Sequence, residues 1–305
     1  MERVEFQIET DQGERTDKYL SEKMPELSRS YLQRLIKDGC VLVGGRSVKA
    51  NYKLRAGDVL SICIPDAVEP DIRPENIPLD IIYEDADILV VNKPKGMVVH
   101  PAAGHYSGTL VNALLHHCGD SLSGINGVMR PGIVHRIDMD TTGSLLVCKN
   151  DFAHQFLAEQ LKEHLINRVY HAIVYGNIKE DTGTVSAPIG RHPTDRKKMS
   201  VNYQNGKEAV THYQVLERFG DYTYIACRLE TGRTHQIRVH MASIRHPLLG
   251  DAVYGPQKCL WNLQGQTLHA KILGITHPKT KRYMEFDAPL PEYFLKILER
   301  LRQNK

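Results

Sequence analysis

The stretch GIVHRIDMDTTGSLLV, residues 132–147, begins and ends apolar and carries His135, Arg136, Asp138 and Asp140 within six positions between. Two hydrophobic segments flanking a charged loop present polar groups on a rigid support. Three kinds of chemistry suit these side chains. His135, Asp138 and Asp140 could ligate a metal, but their i, i+3, i+5 spacing is not a standard chelating pattern, and no H-E-x-x-H motif or Cys/His cluster accompanies them. Asp138 or Asp140 could merely cap a turn through Thr141–Thr142–Gly143. A carboxylate is ionised near neutral pH and can also act as nucleophile or base beside an electrophile, if a cation orients it.

A cation source lies downstream. TGRTHQIRVHMASIRH, residues 231–246, holds Arg233, Arg238 and Arg245 with three histidines and no acid. With Thr231 or Thr234 as cap, Arg233 falls at a helix N-terminus, where its fork suits a carboxylate or phosphate. His235 and His240 read equally well as satisfied polar residues. In RVYHAIVYG, residues 168–176, Tyr170 sits in a β-rich run and suits either the core or a stacking role. GRHPTDRKK, residues 190–198, reads as an exposed basic loop.

The elements that must hold these residues are partly legible. DILVVNKP, GSLLVCK, RVYHAIVYG, GTVSAPI, EAVTHYQVLERF and DYTYIACRLE favour strands, with a hairpin turn at ERFGDY. TLVNALLHH, DFAHQFLAEQLKEHLI (capped by Asp151), THQIRVHMASIR and PEYFLKILERLR favour helices. Strands cluster rather than alternate with helices, so the expected class is α+β with a mixed or antiparallel sheet. The proline-rich acidic segment 65–78 reads as a linker, dividing the chain into residues 1–65 and 79–305. In the smaller piece Ser28 or Ser30 caps a helix reaching Asp38, with Tyr31, Leu32, Leu35 and Ile36 on one face and Gly39 ending it. CVLV, RSVK and DVLSICI follow as strands. Between Ser28 and Arg55 stand seven Lys or Arg residues, including Arg29, Arg34, Lys37, Arg46 and Lys49, against the single acid Asp38. That surplus suits phosphate contacts or a solvated basic face.

The whole chain, 305 residues with 41% hydrophobic residues, 25% charged residues and net charge +3, is ordinary for a globular protein. Six cysteines without a C-x-x-C pair suggest reduced thiols in a cytoplasmic protein. No apolar run suits a signal peptide or a membrane span. The absence of G-x-x-x-x-G-K-[ST], G-x-G-x-x-G and G-x-S-x-G motifs removes support for a nucleotide-driven motor, a Rossmann enzyme and an α/β-hydrolase.

HRIDMDTTG, RVYHAIVYG, RLETGRTHQIRVHMASIRHPLLGDAVYG and VVNKPKGMVVHPAAG together closely resemble the motifs of the RluA/RluD family of pseudouridine synthases. The N-terminal piece resembles the small α/β RNA-binding domain named after ribosomal protein S-four. The resemblance implies conversion of uridine to pseudouridine in RNA by a monomer, without metal or cofactor. It implies Asp138 as the catalytic carboxylate, Tyr170 stacked on the flipped base, and Arg233 paired with Asp138. His135, Arg136 and Ile237 are implied around the substrate. The stretch VVHPAAGHYSGTLVNALLHH is closest to the RluD-like branch, which modifies large-subunit ribosomal RNA, while other branches act on transfer RNA. Two rivals are a non-catalytic RNA-binding protein of the same fold and a metal-dependent RNA hydrolase.

Overall fold

The computed structural model describes residues 2–9, 13–25, 27, 29–64, 72–101, 105–119, 121–125, 130–195, 198–259, 261 and 263–303. It divides into two compact units, Met1–Pro70 and Asp71–Lys305.

The first unit contains β1 (Glu2–Gln7), α1 (Thr16–Lys23), α2 (Arg29–Lys37), β2 (Val41–Val43), β3 (Arg46–Ser47) and β4 (Val59–Ile64). The strands form an antiparallel sheet in the order β1-β4-β2-β3. Leu32, Leu35 and Ile36 of α2 are buried against Leu20, Val41, Leu60 and Ile62, as their helical spacing requires. Gly39 ends α2 at φ 77°: its N–H donates to Ile36 O at 3.2 Å, and Cys40 N–H donates to Leu35 O at 2.9 Å. These two bonds make a Schellman cap, which a residue with a Cβ would strain. Ser30 is the second residue of the helix rather than the residue before it; Ser28 lies outside the described residues. The strand β1 and helix α1 had no clear sequence signal.

The second unit begins with β5 (Ile81–Glu84), β6 (Ile88–Lys93), α3 (Leu110–Cys118), β7 (Thr142–Cys148), α4 (Asp151–Lys162) and β8 (Asn167–Tyr175). It continues with β9 (Thr182–Ser186), β10 (Ile189–Arg191), β11 (Met199–Val201), β12 (Val210–Arg218), β13 (Tyr222–Leu229) and α5 (Gln236–Ser243). Two strands, β14 (Leu268–Thr276) and β15 (Tyr283–Asp287), and the helix α6 (Glu292–Gln303) complete it. Nine strands form one mixed sheet in the order β5-β6-β7-β14-β8-β13-β12-β9, with β15 also on β14. All pairs are antiparallel except β7–β14.

Both faces of the sheet are covered. In β6, Leu89 and Val91 face a core shared with α3 and α5, while Ile88 and Val90 face a second core shared with α4. The same alternation in β7 separates Leu145 and Val147 from Leu146 and Cys148. Burial on both faces explains why these strands read as continuous apolar runs. In β8, Tyr170, Ala172 and Val174 belong to the α5 side, and Ile173 packs with Phe294 of α6 on the other.

Several local expectations need correction. Thr142 and Gly143 are part of β7, not of a turn. Gly143, at φ 105°, lies so close to β14 that a Cβ would stand 2.3 Å from Ala270 O. GTVSAPI is two strands, because Pro188 lacks the N–H a ladder needs and the chain leaves for the separate β10–β11 sheet. The cap of α4 is Asn150, whose Oδ1 accepts Ala153 N–H at 2.8 Å; Asp151 instead accepts from Ser123 Oγ at 2.7 Å. Part of the expected linker is docked on α3: Glu75 N–H donates to Asn112 O at 2.9 Å and Asn112 Nδ2 to Arg73 O at 2.8 Å. Among the described residues no helix is long and apolar enough to cross a membrane.

Candidate active site

The Asp138 loop enters β7 from one side of the sheet and is held by its neighbours. Lys93, 1% exposed, donates from Nζ to Pro94 O at 2.7 Å, Met97 O at 2.9 Å and Met139 O at 2.9 Å. It therefore ties the residue after Asp138 to the end of β6. Burial pushes its pKa down to about 7, against the pull of Asp140 and Asp138. His135 Nε2 accepts Leu146 N–H at 2.9 Å, which orients the loop and occupies the lone pair that a metal would need. Burial, then the nearby Arg168, lowers the His135 pKa to about 3, so its ring is neutral.

Asp138 and Asp140 part company. Asp138 lines a cavity of about 570 Å³; Asp140 does not, and its carboxyl group packs against Gly265. Neither uses its side chain to cap the turn, which is closed by Thr141 N–H donating to Asp138 O at 3.1 Å. Tyr170, Arg233, His235, Ile237 and Arg238 line the same cavity. Tyr170 is 8% exposed on the α5 side of β8, and burial, before any charge effect, raises its pKa.

The cation on Asp138 is Arg238, not Arg233. Arg238 Nη1 donates to Asp138 Oδ2 at 3.0 Å. Its remaining edge grips buried Asp251 through Nε–Oδ2 at 2.7 Å and Nη2–Oδ1 at 2.9 Å, a bidentate pair. Asp251 is oriented in turn by Val253 N–H at 2.9 Å and Tyr254 N–H at 3.1 Å. Burial opposes the Arg238 charge, but the hydrogen bonds and charge of Asp251, then of Asp138, outweigh it and raise the pKa. Arg233 instead donates from Nε to Glu208 O at 2.9 Å. The reason is where the helix starts. Neither Thr231 nor Thr234 caps it; α5 begins at Gln236 after His235 at φ 56°. Gln236 Oε1 accepts from Arg233 N–H at 2.9 Å and Thr231 Oγ1 at 2.8 Å, which leaves Arg233 in the turn before the helix. One sequence signal pointed to Arg238: it stands between Ile237 and Val239 in a helical segment buried from Gln236 to Met241, where a charge needs a partner.

The other carboxylate oxygen, Asp138 Oδ1, accepts no hydrogen bond among the described residues; His235 Nε2 stands 3.8 Å from it. His235 Nδ1 lies 2.8 Å from the Tyr254 hydroxyl, which also accepts Met199 N–H at 2.9 Å. The Tyr254 oxygen thus already accepts one N–H, and its own hydrogen is free to go to Nδ1, the arrangement that puts N–H on the nitrogen facing Asp138. The arrangement offers one aimed carboxylate with a free oxygen, beside an aromatic ring and the apolar Ile237. Arg136 borders the same cavity and donates from Nη1 to His100 Nε2 at 3.3 Å.

In the first unit, Arg34, Lys37, Arg46 and Lys49 are exposed. Lys37 and Lys49 line a groove between α2 and the loop after β3. Arg29 is partly committed: it shares buried Asp17 with Arg15 and Gln33, at 3.1 Å from Oδ2. Arg34 lies over the Tyr31 ring at 5.1 Å.

Residues 87–243 match the RNA pseudouridylate synthase family and residues 14–60 the S4 domain. An uncharacterised RNA pseudouridine synthase of Bacillus subtilis is 55% identical, over 97% of each chain. A ribosomal large subunit pseudouridine synthase D of Zymomonas mobilis is 49% identical, over 92% of this chain and 91% of its own. The structure of human RNA pseudouridylate synthase domain containing 1 superposes with a TM-score of 0.56 at 26% identity, covering 79% of this chain and 98% of the human one. With an N-terminal S4 domain and a mixed-sheet catalytic unit, this chain belongs to the RNA pseudouridine synthases, isomerases that convert uridine to pseudouridine in RNA.

Proposed function

We propose that Asp138 is the catalytic carboxylate, acting on a uridine flipped out of large-subunit ribosomal RNA into the 570 Å³ cavity. The observation that carries this is the chain Asp251–Arg238–Asp138, which aims one carboxylate while leaving Oδ1 without a hydrogen bond among the described residues. Extrusion is needed because a base in RNA structure is otherwise out of reach. Tyr170 stacks on the extruded base and Ile237 walls the pocket. The reaction breaks the N1–C1′ bond, turns the uracil and joins C5 to C1′; the proton displaced from C5 passes to solvent, and N1 takes up a proton in its place. Asp138 serves this exchange as nucleophile or base. Exposed Arg34, Lys37, Arg46 and Lys49 contact phosphates from the S4 domain. Relatives named ribosomal large subunit pseudouridine synthase D, at 45–49% identity, support the choice of RNA. Such a substrate implies a cytoplasmic enzyme, which we take to act as a monomer without cofactor.

Asp138→Asn keeps the side-chain shape and removes the charge. It should abolish tritium release from C5-labelled uridine in single-turnover assays while retaining RNA in filter binding; Asp140→Asn should be far milder. Turnover by Asp138→Asn with intact binding would remove Asp138 from the chemistry. Loss of particular pseudouridines from ribosomal RNA in a deletion strain, mapped by carbodiimide primer extension, identifies the target.

A further inference from the structure

A second cavity, of about 260 Å³, adjoins the first and is lined by His100, Arg130, Ile133, Val134, His135 and Arg136. Val134, His135 and Arg136 line both cavities, so the two share a wall. Among the described residues no carboxylate lines the second one. Its polar groups are almost all donors. Arg136 Nη1 donates to His100 Nε2, so the neutral His100 ring carries its hydrogen on Nδ1. That Nδ1 is buried without a hydrogen-bond partner among the described residues. Burial, then Arg136 and Arg130, holds the His100 pKa at about 4, far from accepting a proton at neutral pH. Burial also lowers the Arg136 pKa; Asp138 opposes this, and the like charge of Arg130 adds to it.

The walls are built rather than incidental. Gly132 N–H donates to Ser123 O at 2.7 Å and Cys148 N–H to Gly132 O at 2.9 Å, pinning the Arg130–Ile133 turn to β7. A Cβ on Gly132, at φ 70°, would meet Cys148 O at 2.8 Å. Two guanidinium groups held near one another around a donor-lined cavity are stabilised when an anion enters.

We propose that His100, Arg130 and Arg136 form a subsite for an RNA phosphodiester, adjacent to the nucleotide presented to Asp138. The shared wall sets the position: a nucleotide in the first cavity leaves its backbone at the rim that Arg136 borders. Arg136 then grips the backbone, with His100 fixing its guanidinium from behind. The proposal rests on the family's RNA substrate, not on Asp138 chemistry or on which uridine is modified.

The test is the salt dependence of binding of the full chain to a single-stranded oligouridylate, with thermal unfolding measured alongside. Arg130 is exposed, so Arg130→Gln should unfold as the wild type does. It should bind about tenfold more weakly at low salt, and its slope of log K against log salt should be shallower by about 0.7. Arg130→Lys should restore the slope, and Asp138→Asn should keep it at the wild-type value whatever happens to turnover. An unchanged slope in Arg130→Gln overturns the proposal. So does saturable binding of inorganic phosphate alone, followed by NMR of the His100 ring at constant ionic strength, if Arg130→Gln abolishes it without changing the RNA slope. That result would assign the cavity to a free anion.

Discussion

Replacing Arg238 by Gln should separate what the arginine does for the fold from what it does for the carboxylate. Asp251 is 2% exposed and takes two of the guanidinium's three hydrogen bonds. Removing one partner of a buried ion pair costs about 3–5 kcal/mol, because the other charge is left uncompensated. For a chain of this size each kcal/mol moves Tm by about 2–4 °C, so Arg238→Gln should melt roughly 6–20 °C lower. Adding Asp251→Asn removes the orphaned charge and should recover most of that loss. It should not recover activity, because Asp138 still lacks its 3.0 Å donor. Loss of one preorganised donor typically slows the chemical step by about a hundred- to a thousand-fold. Arg233→Gln gives the contrast. Its side chain donates to Glu208 O, so stability should change by no more than about 0.5–1.5 kcal/mol and kcat should change little. Calorimetry and single-turnover tritium release on the four proteins decide the matter. Near-normal turnover by the Arg238→Gln, Asp251→Asn double variant, with turnover abolished by Arg233→Gln, would refute the reasoning and restore Arg233 as the partner of Asp138.

Tyr170→Phe keeps the ring and should retain substantial turnover, whereas Tyr170→Ala should weaken capture of the flipped base by about 1–3 kcal/mol in single-turnover titrations. His269, fully buried, has its pKa lowered to about 4 by burial, so the unfolded chain takes up its proton first as pH falls. Stability is therefore present above pH 6.5 and is lost towards pH 4; at pH 5 this one residue costs about 2 kcal/mol. Urea unfolding of His269→Gln at pH 7 and pH 5 should show a pH-dependent loss smaller by about that amount. Gly143→Ala places a Cβ 2.3 Å from Ala270 O at φ 105°, and should drive the protein into the insoluble fraction or lower its Tm by more than 6 °C in a fluorescence melt.

The groups that meet at the cavity come from widely separated parts of the chain, and their legibility differed accordingly. Asp138 and Tyr170 were readable because each lies in or beside a strand whose apolar pattern is local: LLVC and RVYHAIVY fix their own element and face. The helix carrying Arg238 was readable too, but its first residue was not. That boundary depends on Gln236 reaching Arg233 and Val210, a contact across 26 residues, and it decides which arginine faces Asp138. The central strand β14 escaped notice for a related reason. LHAKILGIT gains its meaning from parallel pairing with β7 and antiparallel pairing with β8, neither of which is adjacent in sequence.

The sequence by itself determined the two-part organisation, the α+β class, the strand that follows the charged loop and the family to which they belong; the apolar segment before the loop, read as a second strand, makes only an isolated bridge from Ile133 to Val147. What was legible follows from short-range periodicity and from residues that act at fixed local spacing. Tertiary structure alone decided that Arg238 rather than Arg233 holds Asp138, that His135 ties the loop to Leu146 of β7, that Lys93 ties down Met139, and that Arg136 turns to His100. In each case a polar side chain had several chemically equivalent partners to choose from. The choice was made by which of them the buried sheet brought within about 3 Å, since a charge or donor removed from water must be paired where it lies.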